Sequence, residues 1–302
     1  MSRVNRLSIL MPVYNEEKYI SEAVASIFSY ESRSLEIELI VVDDMSTDST
    51  YEILLKLSQS ISQIKLYKNN FKGKNNALNM AYLNSTGQYI CLMGGDDLIE
   101  PKVLELRVNA ILNEKIKGED LIYSCCKIKT FSSIEKYNNI LIPKAKGKGS
   151  SSGGAITLTR SLCDKIFPIP SNLPNEDSWI AHYLEYFLVK RVEAPEIGLH
   201  YRIHSHNSHK RGLSFDKHKD QMWTRSRSAL LFYNKYYLDL SVEQEIKLVQ
   251  KINIATAIYL QQHLAIIFSS NLSLRQKIIA LTQSSKIFYY IKNFLYKYLV
   301  GR

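Results

Sequence analysis

Two stretches, EIELIVVDD over residues 36–44 and QYICLMGGDD over residues 88–97, decide the fold. Each is a short apolar run that ends in a pair of aspartates. Runs of this length without polar alternation read as strands buried on both faces, the kind found in parallel sheets. Residues 38–42 and 88–93 are therefore predicted strands, and working outward from them gives a regular alternation. Residues 7–11 form a first strand, and Pro12, Val13, Tyr14 and Asn15 the turn after it. A helix over about 16–29 follows, with Ile20, Ala23, Val24 and Ile27 on one face. After the second strand, Ser49 with Glu52 three residues on suggests a capping box for the next helix. Residues 64–67 make a third strand, 69–73 a loop and 74–83 a helix, and Pro101 stands where a further helix would begin. Strand and helix in this alternation predict βαβ units and an α/β fold.

In an open parallel sheet, ligands bind in the crevice at the carboxyl ends of the strands. Asp43-Asp44 and Asp96-Asp97 both fall there and are expected to face one crevice beside the turn at residues 12–16. Like charges brought together repel, and burying them is costly. A bound cation or hydrogen bonds to a nucleoside would offset that cost; the plainer alternative is that each Asp caps the following helix.

Beyond about residue 115 the pattern loosens. Residues 121–128 read as a strand, and KAKGKGSSSGG at 144–154 reads as a polar loop, either a lid or a plain linker. Residues 155–159 return to the sheet and 160–166 are helical. Asn175, Glu176 and Asp177 precede a helix running to about 187, and from about 217 onward the pattern is helical and rich in Tyr and Lys. The expected domains are a catalytic region at 1–215, with a nucleotide-binding half to about 115 and an acceptor half at 116–215, and a helical C-terminal region at 216–302.

The charge is divided unevenly. Residues 1–177 hold 21 basic and 21 acidic residues, whereas 178–302 hold 18 and 8, so the whole net +10 lies in the second part. That asymmetry points to an anionic partner (a membrane surface, a phosphorylated lipid or nucleic acid) or to an ordinary solvated face. Read as a helix, residues 286–300 place Ile287, Ile291, Phe294 and Tyr298 on one side and Lys286, Asn293 and Lys297 opposite. This amphipathic pattern suits the interface of an anionic membrane, or packing on the catalytic domain or a second subunit. No stretch has the roughly 18 uninterrupted apolar residues of a spanning helix, and the N-terminal run is too short for a signal peptide. Four cysteines without a CxxC pair fit a reducing compartment, so a cytoplasmic location is expected.

Taken in order, several segments resemble the inverting nucleotide-sugar glycosyltransferases of family 2, which have the GT-A fold. LSILMPVYNEEKYISEAVASI at 7–27 is similar to the family's first strand, turn and helix, and IELIVVDDMSTDST at 37–50 to its second strand and acidic turn. Residues 69–101 resemble the segment that ends in the metal-binding DXD-type motif. GGAITLTRSLCDKI at 153–166 with NEDSW at 175–179 resembles the acceptor side, and YRIHSHNSH at 201–209 the closing element. The resemblance runs from residue 7 to about 208.

It implies a GT-A fold, a mostly parallel mixed sheet flanked by helices, with a helical C-terminal extension. It also implies roles. Pro12, Tyr14, Glu16, Asp44 and Gly95 belong to the nucleotide site, and Asp43 accepts a hydrogen bond from a base, usually uracil or thymine. Lys74, Arg202 and His204 approach the diphosphate. Asp96 is the main ligand of a Mg2+ or Mn2+ ion, with Asp97 assisting. Asp177 is the catalytic base, and Glu176 shapes the acceptor end. One departure stands out: Gly94 occupies the position where the DXD-type motif usually begins with Asp. A hard cation can still complete its shell with diphosphate oxygens and water.

The expected reaction is transfer of a sugar from a UDP- or dTDP-linked donor to a hydroxyl of a glycan or lipid-linked acceptor, in bacterial surface polysaccharide or lipopolysaccharide assembly. Nucleic acid is not an expected partner. The rivals are a catalytically silent scaffold, motivated by Gly94, and a nucleotidyltransferase. A dehydrogenase and a P-loop NTPase are disfavoured, because neither GxGxxG nor GxxxxGK[ST] occurs. His200, His204, His206 and His209 suggest zinc only weakly, given their irregular spacing and the lack of a nearby Cys.

Overall fold

The structure is a computed structural model that describes residues 4–204 and 213–299. The chain divides into two compact units, Met1–Asn172 with Tyr183–His204, and Leu173–His182 with Ser205–Arg302.

The first unit carries one nine-stranded sheet. Its elements run β1 (Asn5–Val13), α1 (Ile20–Ile27), β2 (Leu35–Asp43), α2 (Thr50–Ser60), β3 (Ile64–Lys68), α3 (Lys74–Leu83), β4 (Tyr89–Leu92), β5 (Leu98–Ile99) and α4 (Pro101–Lys115). They continue as β6 (Ile122–Ser132), β7 (Leu141–Ile142), β8 (Ile156–Thr159), α5 (Arg160–Ile166), α6 (Asp177–Tyr186) and β9 (Lys190–Ile203). The strand order is β3-β2-β1-β4-β8-β6-β9-β5, with β7 on β6. The pairs β1/β2, β2/β3 and β1/β4 are parallel, β8 runs antiparallel to β4 and β6, and β6/β9 is parallel again. This is the mixed α/β architecture of a GT-A fold.

The strand order reverses at β1, which has β2 on one side and β4 on the other. That switch point opens a crevice at the carboxyl ends. Register sets its floor: Val13 pairs with Asp43 across β1/β2, and Asp44 N–H donates to the Val13 carbonyl at 2.7 Å. Beneath it, Leu7, Ile9, Met11, Leu39, Val41 and Cys91 share one buried cluster with Ile20, Val24 and Ile27 of α1. Burying each Leu or Ile of this kind contributes about 1.5–3 kcal/mol.

Several local expectations are corrected. Pro12 lies inside β1, opposite Val42, rather than in a turn. β4 pairs with β1 only as far as Leu10, so beyond that point a residue lacking an N–H meets no ladder on the β4 side. Helix α1 starts at Ile20, because residues 14–19 turn first: Asn15 has φ 56° and Glu16 O accepts from Tyr19 N and Ile20 N. Ser49 makes no side-chain cap on α2; Asp48 Oδ1 accepts from Thr50 N at 3.0 Å and Thr50 Oγ1 at 2.5 Å instead. The loop at 144–154 is no free linker. Gly149 N donates to Glu193 Oε2 at 2.7 Å and Ser150 N to Cys126 O at 2.8 Å, which stitches the loop's second half onto β6 and β9.

The second unit is helical. It holds the start of α6 and then α7 (Phe215–Tyr236), α8 (Val242–Tyr259), α9 (His263–Ile267), α10 (Leu274–Ser284) and α11 (Lys286–Leu299). Helices α8 and α10 open with complete capping boxes, Ser241 with Gln244 and Ser273 with Gln276. Among the described residues, no helix is long and apolar enough to cross a membrane.

Candidate active site

Two turns form one wall of the crevice, and short side chains weld them together. Asn15 Oδ1 accepts from Thr47 N at 2.8 Å while Asn15 N donates to Ser46 Oγ at 3.0 Å. Glu16 N donates to Thr50 Oγ1 at 2.7 Å, and Glu17 N to Asp48 Oδ2 at 3.2 Å. The turn after β1 is thereby held on the turn after β2, with Tyr14 exposed at its tip beneath the Lys72 ammonium, 4.0 Å from the ring centroid.

The aspartates of the first pair have separate tasks. Asp44 Oδ1 accepts from Asn69 Nδ2 at 2.6 Å and from Gly73 N at 2.7 Å. It ties down the loop that starts α3, whose first residue is the exposed Lys74. Gly73 takes φ 140° there, a conformation that favours glycine. Asp43 is 3% exposed; its Oδ2 accepts from Ser46 N at 3.2 Å, and its buried Oδ1 has no hydrogen-bond partner among the described residues. A buried carboxylate oxygen without a donor costs about 1–3 kcal/mol or more, so it calls for a donor from a ligand.

The second pair sits on a turn gripped by β9. Asp97 is 7% exposed, and its Oδ1 accepts from Arg202 N at 2.9 Å. Arg202 Nε donates to the Asp96 carbonyl at 2.7 Å, and its Nη2 to Glu22 Oε2 at 2.6 Å. Its guanidinium lies 4.5 Å from the Tyr19 ring centroid and 4.4 Å from that of Phe131, a cation held by two rings. His204 Nε2 lies 3.0 Å from Asp96 Oδ2. The charges register the crowding. Burial first, and then the Asp96 charge, push the Asp97 carboxyl well above the usual carboxylate range, against the pull of Arg202 and Lys74. Glu16 is pushed up to about 8 by burial first and then by Asp96 and Asp48, with Arg202 opposing.

Both glycines before this pair are packed. A Cβ on Gly95 would lie 2.9 Å from Val13 Cγ1 and 3.2 Å from Glu16 Cγ, so only glycine lets the turn rest on the end of β1. A Cβ on Gly94 would lie 2.7 Å from Asp96 Oδ1, so the missing first carboxylate of the DXD-type motif is the space that the Asp96 carboxylate fills. The donors here are hard oxygens crowded enough to gain from a cation, which fits Mg2+ or Mn2+ better than a softer metal. Among the described residues no group of three or more His, Cys, Asp and Glu side chains is arranged to hold a metal ion. Water and donor phosphates would have to supply most of the shell. His206 and His209 lie outside the described residues.

Glu176 and Asp177 belong to the second unit. Asp177 opens α6, and Glu176, 4% exposed, precedes it and accepts from Ile180 N through its carbonyl. The helix start is anchored on α7: fully buried Trp179 meets Phe232 edge-on at 5.6 Å, and His182 Nε2 lies 3.0 Å from Ser228 Oγ. The first unit thus brings Glu16, Asp43, Asp96, Asp97, Arg202 and His204 to one rim of the sheet. Sequence reasoning missed Glu22, Tyr19 and Phe131 around Arg202. The Tyr and the Glu, three residues apart at the start of α1, one just before it and one in its first turn, were a signal; Phe131 left none.

Comparison with known proteins agrees with this fold. The model of glycosyl transferase family 2 matches residues 8–149. An uncharacterized glycosyltransferase of Rickettsia typhi is 38% identical over 119 residues, 39% of this chain and 35% of its own length, so the match spans about a third of that relative. An uncharacterized glycosyltransferase of Nostoc is 24% identical over 249 residues, 78% of this chain and 76% of its own. The crystal structure of Staphylococcus aureus TarS 1-349 in complex with UDP-GlcNAc superimposes with a TM-score of 0.58 at 20% identity, covering 95% of this chain and 83% of that one. Residues 8–149 therefore match a glycosyl transferase family 2 domain, and the chain shares the GT-A fold of the solved neighbour.

Proposed function

We propose that the chain transfers a sugar, with inversion, from a uridine or thymidine diphosphate sugar to a hydroxyl of a glycan or lipid-linked acceptor on the cytoplasmic side of a bacterial membrane, in the building of a surface polymer. The observation that carries this reading is the buried Asp43 Oδ1, which has no donor among the described residues, at the mouth of the strand crevice. The imide N–H of uracil or thymine is the donor that such an oxygen selects, and TarS, a structural neighbour, was crystallised with UDP-GlcNAc.

The base would rest between Pro12, Tyr14 and Asp43, while Lys74 at the start of α3 meets the diphosphate with its charge. Asp96, assisted by Asp97, would hold Mg2+ or Mn2+, which neutralises the charge developing on the leaving diphosphate. Arg202, bonded to the Asp96-Asp97 turn, contributes positive charge at the same place, and the His204 ring stands beside the Asp96 carboxylate. Asp177 takes the proton of the acceptor hydroxyl as its oxygen bonds to the anomeric carbon. The carbon–oxygen bond to the diphosphate breaks with its electron pair, and the nucleoside diphosphate leaves from the opposite face. Glu176 shapes the acceptor end.

Purified chain with Mn2+ and a panel of UDP-, dTDP- and GDP-sugars tests the reading. Free nucleoside diphosphate is expected from uridine or thymidine donors alone, and Asp177→Asn is expected to slow its release about 10²- to 10⁴-fold with donor affinity nearly intact. Release of pyrophosphate would make the chain a nucleotidyltransferase, and no binding of any donor would make it a scaffold.

A further inference from the structure

Residues 246–302 contain eight Lys and Arg and not one Asp or Glu. Among the described residues, thirteen of the thirty exposed large apolar side chains fall within residues 260–295 of this stretch. A surface that is both apolar and free of negative charge is unusual in a water-facing region and marks an interaction site.

Helix α11 shows how the surface is built. It is attached to the rest of its unit by Tyr289, which is 7% exposed, donates its hydroxyl to Leu213 O at 2.9 Å and packs edge-on to Phe215. Ile287, Ile291 and Phe294, at helical spacings of four and three, form a stripe with Phe288 and Leu295, and every one of these five is between 46% and 71% exposed. At 3.6 residues per turn, Tyr289 lies about 160° round the helix from the middle of that stripe. The helix is held by its back and turns its apolar face outward. Lys292 falls on one flank of the stripe, about 100° from its middle, and Lys286 lies about 140° round on the other side, from where their long side chains reach polar headgroups when the stripe is immersed. Leu274 and Ile278 of α10, Leu264 of α9 and Phe268 just after it add exposed apolar surface, and Arg275 and Lys277 add charge.

We propose that α9–α11 form a docking surface for an anionic lipid bilayer, with the α11 stripe at the boundary of headgroups and acyl chains. The charge selects this occupant over a second copy of the chain: α9–α11 hold five Lys and Arg and no Asp or Glu, so two such faces would set five cations against five with no carboxylate of their own between them. An anionic membrane instead strengthens binding about fivefold for each basic residue near its surface. The inference does not rest on the transfer reaction, since vesicle binding is read without turnover.

Co-sedimentation of the full chain with vesicles of phosphatidylcholine, with and without 30% phosphatidylglycerol, tests it. Binding is expected only to the anionic vesicles at about 0.1 M salt, and is expected to weaken at least tenfold at about 0.5 M. The double variant Ile291→Asp, Phe294→Asp alters exposed positions only and should keep the wild-type circular dichroism and Tm while losing at least tenfold in partitioning. The pair Lys286→Gln, Lys292→Gln should lose about 25-fold and flatten the salt dependence. Full-length protein that stays in solution with anionic vesicles at low salt overturns the proposal. So does a dimer in ultracentrifugation that Ile291→Asp dissociates while vesicles remain unbound.

Discussion

The Asp43-Asp44 and Asp96-Asp97 pairs look alike in sequence and occupy matching strand ends, yet within each pair the two carboxylates do different work. Asp44 and Asp97 are tied to backbone N–H groups of distant segments, Gly73 in one case and Arg202 in the other. Asp43 keeps a buried oxygen with no donor among the described residues, and Asp96 fills the space above Gly94. The lesson is that a doubled aspartate at a strand end can pair one structural anchor with one carboxylate that faces the crevice. The anchor is second in both pairs here, because the second residue is where the chain turns towards its new partner.

Three experiments would break or sharpen that comparison. The largest effect is expected at the second pair: Asp96→Ala should lower turnover about 10²- to 10³-fold. Asp97→Asn keeps an acceptor for Arg202 N and should cost less than about tenfold. Equal losses in steady-state assays would abolish the division of labour. At the first pair the readouts should part company. Asp44→Ala leaves Gly73 N and Asn69 Nδ2 without their acceptor and should cost about 1–3 kcal/mol in chemical denaturation. Asp43→Ala should leave stability nearly unchanged and weaken UDP binding about tenfold by calorimetry; a stability loss as large as that of Asp44→Ala would make Asp43 an anchor too.

The smallest effect concerns pH. Burial, then Asp96 and Asp48, raise the Glu16 carboxyl from its usual value near 4.5 to about 8. Between those values the folded chain holds a proton that the unfolded chain has released, so stability must fall as pH rises through the window. Glu16→Gln should flatten the decline of Tm between about pH 5 and pH 8 by a few degrees. An unchanged slope in differential scanning calorimetry would show that Glu16 is not the group responsible.

The strand–helix alternation of the first hundred residues, and the two acidic strand ends, were legible because they depend on local pattern and on the rule that parallel strands open at their carboxyl ends. What escaped depends on pairing. Pro12 reads as a turn residue until one knows that β4 stops short of it. Ser49 has the capping-box spacing to Glu52, but Asp48 has the geometry, since its other oxygen is already fixed by Glu17 N. The loop at 144–154 has a linker's composition, and only the Glu193 carboxylate on a strand far along the chain pins it. The sandwich of Arg202 between Tyr19 and Phe131 joins three segments that no periodicity connects.

The grip of Arg202 on the acidic turn also has a consequence in time. Asp97 and its Arg202 donor are 105 residues apart, and Glu22 is 180 residues from the same arginine. On a ribosome adding about 5–20 residues per second, Asp97 is made roughly 5–20 s before the residue that satisfies it. The β1–β4 half, whose pairings close within the first hundred residues, can fold on the emerging chain during that interval. The turn that carries Asp96 must wait for β9. A nascent chain halted before residue 202 would thus present the Asp43 end of the crevice without a finished acidic turn, and the last strand to arrive would be the one that completes it.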